Sequence, residues 1–177
     1  MRKLLFWSLC GATLAVYLVM ALWSLPTVSA GAGGLAPFDM RPGGYSEDEA
    51  RAFMAAITPE ASAFYRDVQQ KLDLVYPTLA ALTLFFALSA LLPAGWGTWR
   101  YVFASPAVLV GVFDYLENHA VAGLLLAGRD ATPTMIADAS QWTVLKAVST
   151  TFVASALLLL LLWRGVMVLR RRFRQAA

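Results

Sequence analysis

Four long apolar segments dominate the sequence, and each is long enough to cross a lipid bilayer. They cover residues 4–25, 74–92, 101–127 and 143–169. A membrane-spanning helix needs about 20 apolar residues, whereas the strands of a transmembrane barrel alternate in polarity, and these segments do not alternate. The hydrophobic content of 59% also exceeds the roughly 45–50% that is typical of soluble proteins. We therefore predict an all-α fold class, a four-transmembrane-helix bundle forming one membrane domain over residues 1–177.

The first segment has a second interpretation as a cleaved signal peptide. Arg2 and Lys3 precede it, and Val28-Ser29-Ala30 resembles a cleavage site. Its apolar stretch, however, is about twice as long as the apolar core of a signal peptide. We therefore expect this segment to be a retained spanning helix.

Positive charges are concentrated at the two ends of the chain. No Asp or Glu lies there or in the short connection 93–100, whose charged residue is Arg100. Short loops rich in Lys and Arg stay in the cytoplasm. We therefore predict that both termini and this connection are cytoplasmic, and that loops 26–70 and 128–141 lie on the other side. The basic residues at the two ends are Arg2, Lys3, Arg164, Arg170, Arg171, Arg172 and Arg174.

The charge distribution also indicates where the protein resides and what it contacts. The run 170–174 is typical of a membrane exit that contacts anionic lipid headgroups, which makes membrane lipids the expected partners and argues against nucleic acid. The predicted location is a membrane that borders the cytoplasm, which the chain crosses several times.

Loop 26–70 contains signals for two short amphipathic helices. Ser46 followed by Glu49 is a capping box, and apolar residues recur after it at helical spacing. Thr58 and Pro59 are typical of a second helix start, and this helix is expected to run into, or abut, the second spanning helix. We predict that both helices cover the outer mouth of the bundle as a cap, an interfacial anchor or a docking surface. The apolar face of the first comprises Ala50, Phe53, Met54 and Ile57.

The second short helix has one apolar stripe, and its remaining residues are polar. The stripe comprises Phe64, Tyr65, Val68 and Leu72. We assign the polar residues to the opposite side of the helix. These are Arg66, Asp67, Gln69, Gln70 and Lys71.

Polar side chains inside the apolar segments are few and grouped. A charge in the hydrocarbon costs about 2.5–3.5 kcal/mol by insertion scales, and such residues usually have a role. Asp114, Glu117 and Asn118 stand at i, i+3 and i+4, which places them on one helical face, whereas His119 points about 100° away from Asn118. Antiparallel packing would bring these groups together with polar residues of the second and fourth helices in the outer half of the bundle. The candidate ligand-binding residues are Asp73, Asp114, Glu117, Asn118, His119, Trp142 (as an aromatic wall) and Lys146.

Pro77 modifies the start of the second spanning helix. A proline has no N–H, so it cannot donate to the carbonyl of residue 73, four positions earlier. We therefore expect a free backbone acceptor at Asp73, next to the candidate site.

Two interpretations of this polar group remain open. In one, the group is a self-satisfied network that joins helices, and the protein is an accessory or assembly subunit of a larger membrane complex. In the other, Asp114 and Glu117 exceed what Lys146 neutralises, and the group is an intramembrane acidic pocket. Such a pocket could hold a proton or bind a lipid-like or cationic amphiphilic molecule. Enzymatic activity stays open, no catalytic residue is assigned, and a channel or transporter would require an oligomer.

No metal and no cofactor are expected. Asp114, Glu117 and His119 lack the i, i+4 geometry of a helical metal motif, and His119 is the only histidine. Cys10 is the only cysteine, which excludes an intramolecular disulfide and a cysteine cluster. The sequence contains neither a phosphate-binding loop nor a dinucleotide-binding motif, and no second axial ligand for haem is recognisable.

Several short stretches resemble a group of bacterial four-helix membrane proteins without assigned function. The resemblance covers most of the chain and implies the four-helix architecture and a location in the bacterial inner (cytoplasmic) membrane, but it implies no activity. The stretches are Pro37-Phe38-Asp39-Met40, Gly44-Tyr45-Ser46, Leu72-Asp73-Leu74-Val75-Tyr76-Pro77 and Asp114-Tyr115-Leu116-Glu117-Asn118.

A looser similarity connects the chain to the EXPERA group, which includes the emopamil-binding sterol isomerases and the sigma-2 receptor. It lies in the length, the external segment after the first helix, the stretch 72–77 and Ser105-Pro106-Ala107. The resemblance implies acidic residues in an intramembrane sterol or amine pocket. The isomerase pair of a histidine and a glutamate one turn apart on the second helix is missing here, since His119 lies on the third, so isomerase activity is not implied.

Overall fold

The computed structural model describes residues 2–176, and within that range the chain forms helices and turns but no strand. The side chains of Arg2, Arg171 and Arg174, which carry part of the predicted cytoplasmic charge, lie outside the described residues. In chain order the helices are α1, Arg2–Val19, continued by a π-helical turn Met20–Ser24 and by Leu25–Gly31; α2, Glu47–Ala56; α3, Pro59–Phe64, continued by a π-helical turn Tyr65–Gln69 and by Gln70–Leu91; α4, Trp99–Ala104; α5, Pro106–Ala127; and α6, Pro133–Ala176.

Four helical stretches are long and apolar enough to cross a membrane, as predicted. They are Lys3–Gly31, Pro59–Leu91, Trp99–Asp130 and Pro133–Arg170. The third of them combines α4 and α5. The all-α four-helix bundle is thereby confirmed, and the chain has the architecture of a multi-pass membrane protein.

The predicted loops are longer than the observed ones. Loop 26–70 is reduced to 32–58, and loop 128–141 to 128–132, because α1, α3 and α6 extend beyond their apolar segments. Apolar length marks the part of a helix at bilayer depth, whereas polar and small residues continue the helix outside it. Within this loop α2 is a separate short helix, and the second predicted helix is the first part of α3, as expected.

Both predicted helix starts in this region are present. The amide of Ser46 donates to Glu49 Oε2 at 2.7 Å, and the amide of Glu49 donates back to Ser46 Oγ at 3.2 Å, which completes the capping box. Thr58 caps α3 by accepting from the amide of Ala61 at 3.2 Å, and Pro59 occupies the first turn. The end of α1 packs against this turn, where a methyl group at Gly31 would collide with the side chain of Ala61.

Residues 32–58 fold over one end of the bundle, here called the capped end. The apolar face of α2 is turned inward as predicted, with Phe53 fully buried against Phe38 at a centroid distance of 4.8 Å. The Arg41 guanidinium lies 5.7 Å from the Phe53 centroid and donates to the carbonyl of Ala36. The core below this segment contains Tyr45, Tyr65, Val121, Leu124 and Ile136.

A second apolar core fills the opposite end, here called the turn end because it carries the connection 92–98. It consists of Leu88, Ala104, Ala107, Val110 and Val153. Six buried polar residues lie between the two cores along their helices, whereas the buried Ser89 of α3 lies at the turn end. The six are Gln69, Asp73, Asp114, Glu117, Asn118 and Thr143. The span that contains α5 is the most buried of the four. In its apolar stretch 44% of the residues are buried, compared with 6% in the spans of α1 and α6.

Candidate functional site

The acidic face of α5 is directed into the bundle. Asp114 and Asn118 are 6% and 8% exposed, and Glu117 is fully buried. Their spacing of three and four residues aligns them on one side of the helix, and that side packs against α3 and α6. The predicted common face is therefore present and buried.

Lys146 on α6 links the two carboxylates of that face. Its Nζ lies 3.4 Å from Asp114 Oδ1 and also contacts Glu117 Oε2. The lysine side chain is 20% exposed. The next inward residue of α6, Thr143, is fully buried and donates to the carbonyl of Ala139 at 3.2 Å. The ammonium group is therefore shared between two acids.

A chain of hydrogen bonds connects Asp73 on α3 to α1. Gln69 Nε2 donates to Asp73 Oδ2 at 3.0 Å, and Ser24 Oγ donates to Gln69 Oε1. Ser24 and Gln69 are fully buried, and each is the last residue of a π-helical turn. Such turns in α-helices are frequent at functional sites. Here they form the polar contact between α1 and α3.

The carbonyl freed by Pro77 has a partner on α5. Asn118 Nδ2 donates to the backbone oxygen of Asp73 at 2.9 Å, which satisfies the acceptor that the sequence analysis expects. One turn earlier on α5, the Tyr115 hydroxyl donates to the backbone oxygen of Leu74 at 2.7 Å. The helices approach closely here, since a Cβ at Gly111 would lie 3.1 Å from the Pro77 carbonyl oxygen.

Asp39 is a fourth acidic residue near this network, and sequence analysis did not select it. The hydroxyl of the fully buried Tyr65 donates to Asp39 Oδ2 at 2.5 Å. Asp39 lies in a short 3₁₀ turn, Phe38–Met40, within the segment that covers the capped end. No periodic pattern specifies where such a turn directs its side chains, so the sequence offers no signal for this contact.

Gln69 was assigned to the polar, outward side of its helix, and that assignment is wrong. Gln69 stands four residues after Tyr65 and four before Asp73, a spacing that places all three on one face. The structure buries all three. A polar side chain is not necessarily an exposed one, and the helical spacing of Gln69 from Tyr65 and Asp73 indicates that it shares their buried face.

The structure places two of the predicted residues outside this network. His119 is exposed on the surface of α5, as its angular offset from Asn118 suggests. Trp142 is half-buried and stacks on Phe113 with centroids 6.2 Å apart. The remaining five predicted residues are joined to one another or to Gln69. We call these five, together with Ser24, Asp39, Tyr65, Gln69 and Thr143, the polar network; within it Asp39 and Tyr65 bond to each other, and Thr143 bonds to the backbone of α6.

Negative charge exceeds positive charge in the polar network. Its carboxylates belong to Asp39, Asp73, Asp114 and Glu117, and its ammonium group to Lys146. Among the described residues, Glu117 Oε1 meets no hydrogen-bond donor. A buried carboxylate oxygen without a partner is unfavourable, so this position calls for a proton or a further cationic donor.

The covering segment also contributes a neutral side chain, Tyr45. Burial raises the pKa of the Tyr45 phenol above its ordinary value, so this side chain stays protonated and uncharged. The Tyr45 amide donates to Ser140 Oγ at 2.8 Å, which fastens the covering segment to α6. The described residues contain no group of three His, Cys, Asp or Glu side chains that could hold a metal ion.

A shallow groove of about 290 Å³ runs between α1 and α3 beside the polar network. Tyr76 lines it and follows Asp73 by three residues, which places the two on adjacent turns of α3. The wall formed by α1 is exposed at the protein surface, where Leu14 and Tyr17 are 56% and 50% exposed. The lining residues are Cys10, Thr13, Leu14, Tyr17, Tyr76 and Thr83.

Comparison of the chain with protein families, with curated proteins and with solved structures finds no match. The function is therefore inferred from the geometry of the polar network and of the surfaces around it.

Proposed function

We propose that this membrane protein binds the cationic headgroup of a lipid-like amphiphile at the polar network. The observation that carries the proposal is the charge imbalance. Asp114 and Glu117 share the ammonium group of Lys146, while Asp39 and Asp73 have only the neutral partners Tyr65 and Gln69. Charges at bilayer depth are costly and usually mark a functional site. A bound cation would supply the missing positive charge.

The unpaired oxygen of Glu117 marks where a donor is needed. Glu117 is fully buried, and its Oε2 contacts Lys146 while its Oε1 is without a partner. A protonated amine is a donor without acceptor capacity, so it complements a carboxylate oxygen and does not compete for Lys146. A primary or secondary ammonium headgroup fits this requirement better than a quaternary one, which has no N–H.

The groove between α1 and α3 supports an amphiphile over a water-soluble amine. It is lined mainly by apolar and aromatic side chains, and the lining residue Tyr76 lies three positions after Asp73 on α3. The segment of α1 from Cys10 to Tyr17 is about 10 Å long at 1.5 Å per residue, which matches part of an alkyl chain. An apolar tail in the groove would place a cationic head beside the acidic residues.

We further propose the orientation and location that the charge pattern indicates. The turn end would face the cytoplasm of a bacterium, and the capped end with the polar network would lie in the outer half of the inner membrane. The resemblance to the bacterial four-helix proteins and to the amine-binding members of the EXPERA group agrees with this proposal.

The test replaces Asp114 and Glu117 by Asn and Gln in the purified protein. Dodecylammonium is the probe, dodecanol is its neutral counterpart, and binding in lipid nanodiscs is followed by tryptophan fluorescence. We expect the wild type to bind the ammonium compound in preference to the alcohol, and the double variant to lose that preference. A matched control, Glu60→Gln with Asp138→Asn, removes one glutamate charge and one aspartate charge at exposed positions of the same end.

Neutralising both acids leaves Lys146 without its partners, so a second variant guards against misfolding. The triple variant, Asp114→Asn, Glu117→Gln and Lys146→Met, has no unpaired lysine and should fold while remaining unable to bind the probe. Equal ammonium binding by the wild type and a folded triple variant would refute the proposal.

A second candidate function is that of an assembly subunit in a larger membrane complex. The observation favouring it is that Lys146 contacts both Asp114 and Glu117, so the network also serves as a joint between α5 and α6. This candidate predicts that the triple variant retains every function of the wild type. It also predicts a stable partner that remains bound in mild detergent through the weakly covered faces of α1 or α6.

A further inference from the structure

A second groove lies at the turn end, and its chemistry is opposite to that of the polar network. It has a volume of about 500 Å³ and lies between the beginning of α1, the end of α3 and the beginning of α4. Its walls are mainly apolar, and Arg100 supplies the positive charge of the lining. The lining residues include Leu5, Phe6, Leu9, Phe86, Ala90 and Arg100.

The guanidinium group of Arg100 is only partly satisfied. Its Nη2 donates to the Tyr101 hydroxyl at 2.5 Å, and its Cζ lies 4.6 Å from the Tyr101 centroid. Its Nε is buried and has no hydrogen-bond partner among the described residues. A buried donor without a partner costs free energy, so an acceptor is missing beside Nε.

The described part of the turn end offers no Asp or Glu side chain as that acceptor. Residues 1–38, 74–113 and 139–177, which include every segment at this end, contain no Asp or Glu. The same end carries eight of the 14 Lys and Arg residues of the sequence. Arg164, another arginine of this end, differs from Arg100 because its Nε has a partner and donates to the carbonyl of Leu91 at 3.0 Å. An acidic acceptor for Arg100 would therefore come from outside these segments.

We propose that this groove binds an anionic glycerophospholipid, with the phosphate on Arg100 and an acyl chain along Leu5, Leu9 and Phe86. Arginine presents its N–H groups in a planar fork that matches the oxygens of a phosphate. The apolar walls distinguish a lipid from a soluble phosphate, because a soluble ion would gain nothing from them.

The depth of Arg100 agrees with a headgroup contact. Trp7, Trp96 and Trp99 are close along the chain to the groove residues Phe6 and Arg100, and they are 68%, 46% and 63% exposed. Tryptophan is enriched at the level of the lipid headgroups. The groove thus spans the depth from the headgroup region into the hydrocarbon, and basic pockets between helices are known to bind anionic headgroups.

The test measures binding of phosphatidylglycerol to the full-length protein in detergent by native mass spectrometry. Phosphatidylcholine and inorganic phosphate are the comparison ligands. Arg100→Gln should weaken phosphatidylglycerol binding about tenfold or more, as expected for loss of a hydrogen bond to a charged group. Ala90→Phe fills the groove while leaving Arg100 in place, and it should weaken binding as well. Lys3→Gln removes an exposed charge from the same end and should leave binding unchanged.

Each other outcome argues against the proposal. Unchanged binding in both Arg100→Gln and Ala90→Phe would show that the lipid does not occupy this groove. Equal affinity for phosphatidylcholine and phosphatidylglycerol would exclude recognition of the anionic headgroup. If inorganic phosphate bound in an Arg100-dependent way and Ala90→Phe had no effect, the site would be one for soluble phosphate. None of these results affects the amine site, which lies at the other end of the bundle.

Discussion

Replacing Asn118 by alanine removes the donor to the Asp73 carbonyl, which Pro77 leaves without a helical partner. The resulting loss in free energy of unfolding should therefore depend on Pro77. In the wild type, Asn118 Nδ2 donates to the backbone oxygen of Asp73 at 2.9 Å, because residue 77 has no N–H to offer. In a Pro77→Ala background, the new amide of residue 77 can make the ordinary helical bond to the same oxygen. Asn118 then becomes dispensable as a donor.

The magnitude follows from what is left unpaired. A buried carbonyl without a donor costs about 1–3 kcal/mol, while interhelical bonds in membranes average below roughly 1 kcal/mol. Because the Asp73 carbonyl cannot reach water, we expect Asn118→Ala to lower the free energy of unfolding by about 1–2 kcal/mol in the wild type. The same substitution should cost about 0.5 kcal/mol or less beside Ala at position 77.

The assay is reversible unfolding in mixed micelles of dodecyl maltoside and dodecyl sulfate, followed by far-ultraviolet circular dichroism for all four members of the cycle. Tyr115→Phe is the matched control. Its hydroxyl donates to the carbonyl of Leu74, whose own helical donor is the amide of Thr78 and not of residue 77. Its cost should therefore be equal in both backgrounds. Equal costs of Asn118→Ala with and without Pro77 would refute the reasoning.

The remaining predictions concern charge. Lys146→Met in the wild type leaves Asp114 and Glu117 without a positive partner and should lower the free energy of unfolding by about 3–5 kcal/mol in the same assay. When both acids are already amides, the same substitution should cost less than about 1 kcal/mol. Equal losses in the two backgrounds would contradict the ion-pair geometry. Hydrogen bonds from the Ser46 amide and hydroxyl lower the pKa of Glu49 below its ordinary value of 4.5. The capping-box contribution is therefore present above pH 4.5 and is lost as the pH falls through the lowered pKa. An NMR titration should show the pKa of Glu49 rising toward 4.5 in Ser46→Ala, and no change would be inconsistent with the capping box.

Sequence reasoning recovered the bundle because the bilayer imposes a simple requirement. Each span must contain enough apolar residues and satisfy its own backbone, so counting apolar residues located all four helices. The helix ends were misplaced because Leu25–Gly31 and the first turns of α3 and α6 are helical without being strongly apolar. Hydropathy measures depth in the membrane, and it does not mark where helical hydrogen bonding stops.

The candidate site was recovered where regular spacing determines direction and missed where it does not. The shared face of Asp114, Glu117 and Asn118 and the free carbonyl at Asp73 both follow from helix geometry, and the structure shows both. The contact of Asp39 with Tyr65 depends on the path of an irregular segment. Partner choice by Lys146 also required the rotation and offset of α6 against α5, which spacing within one helix cannot supply.

The composition of the polar network separates its structural role from its chemical one. Helices in a bilayer gain no hydrophobic free energy from contact with one another, so polar contacts help to select neighbours, and this network touches all four spans through Ser24, Asp73, Glu117 and Lys146. A joint alone would need only neutral amides or one ion pair. Replacing a buried ion pair by apolar residues is often neutral or stabilising, whereas each additional carboxylate at this depth costs about 2.5–3.5 kcal/mol. The surplus acids therefore oppose stability, and the proposed cationic ligand would offset that cost.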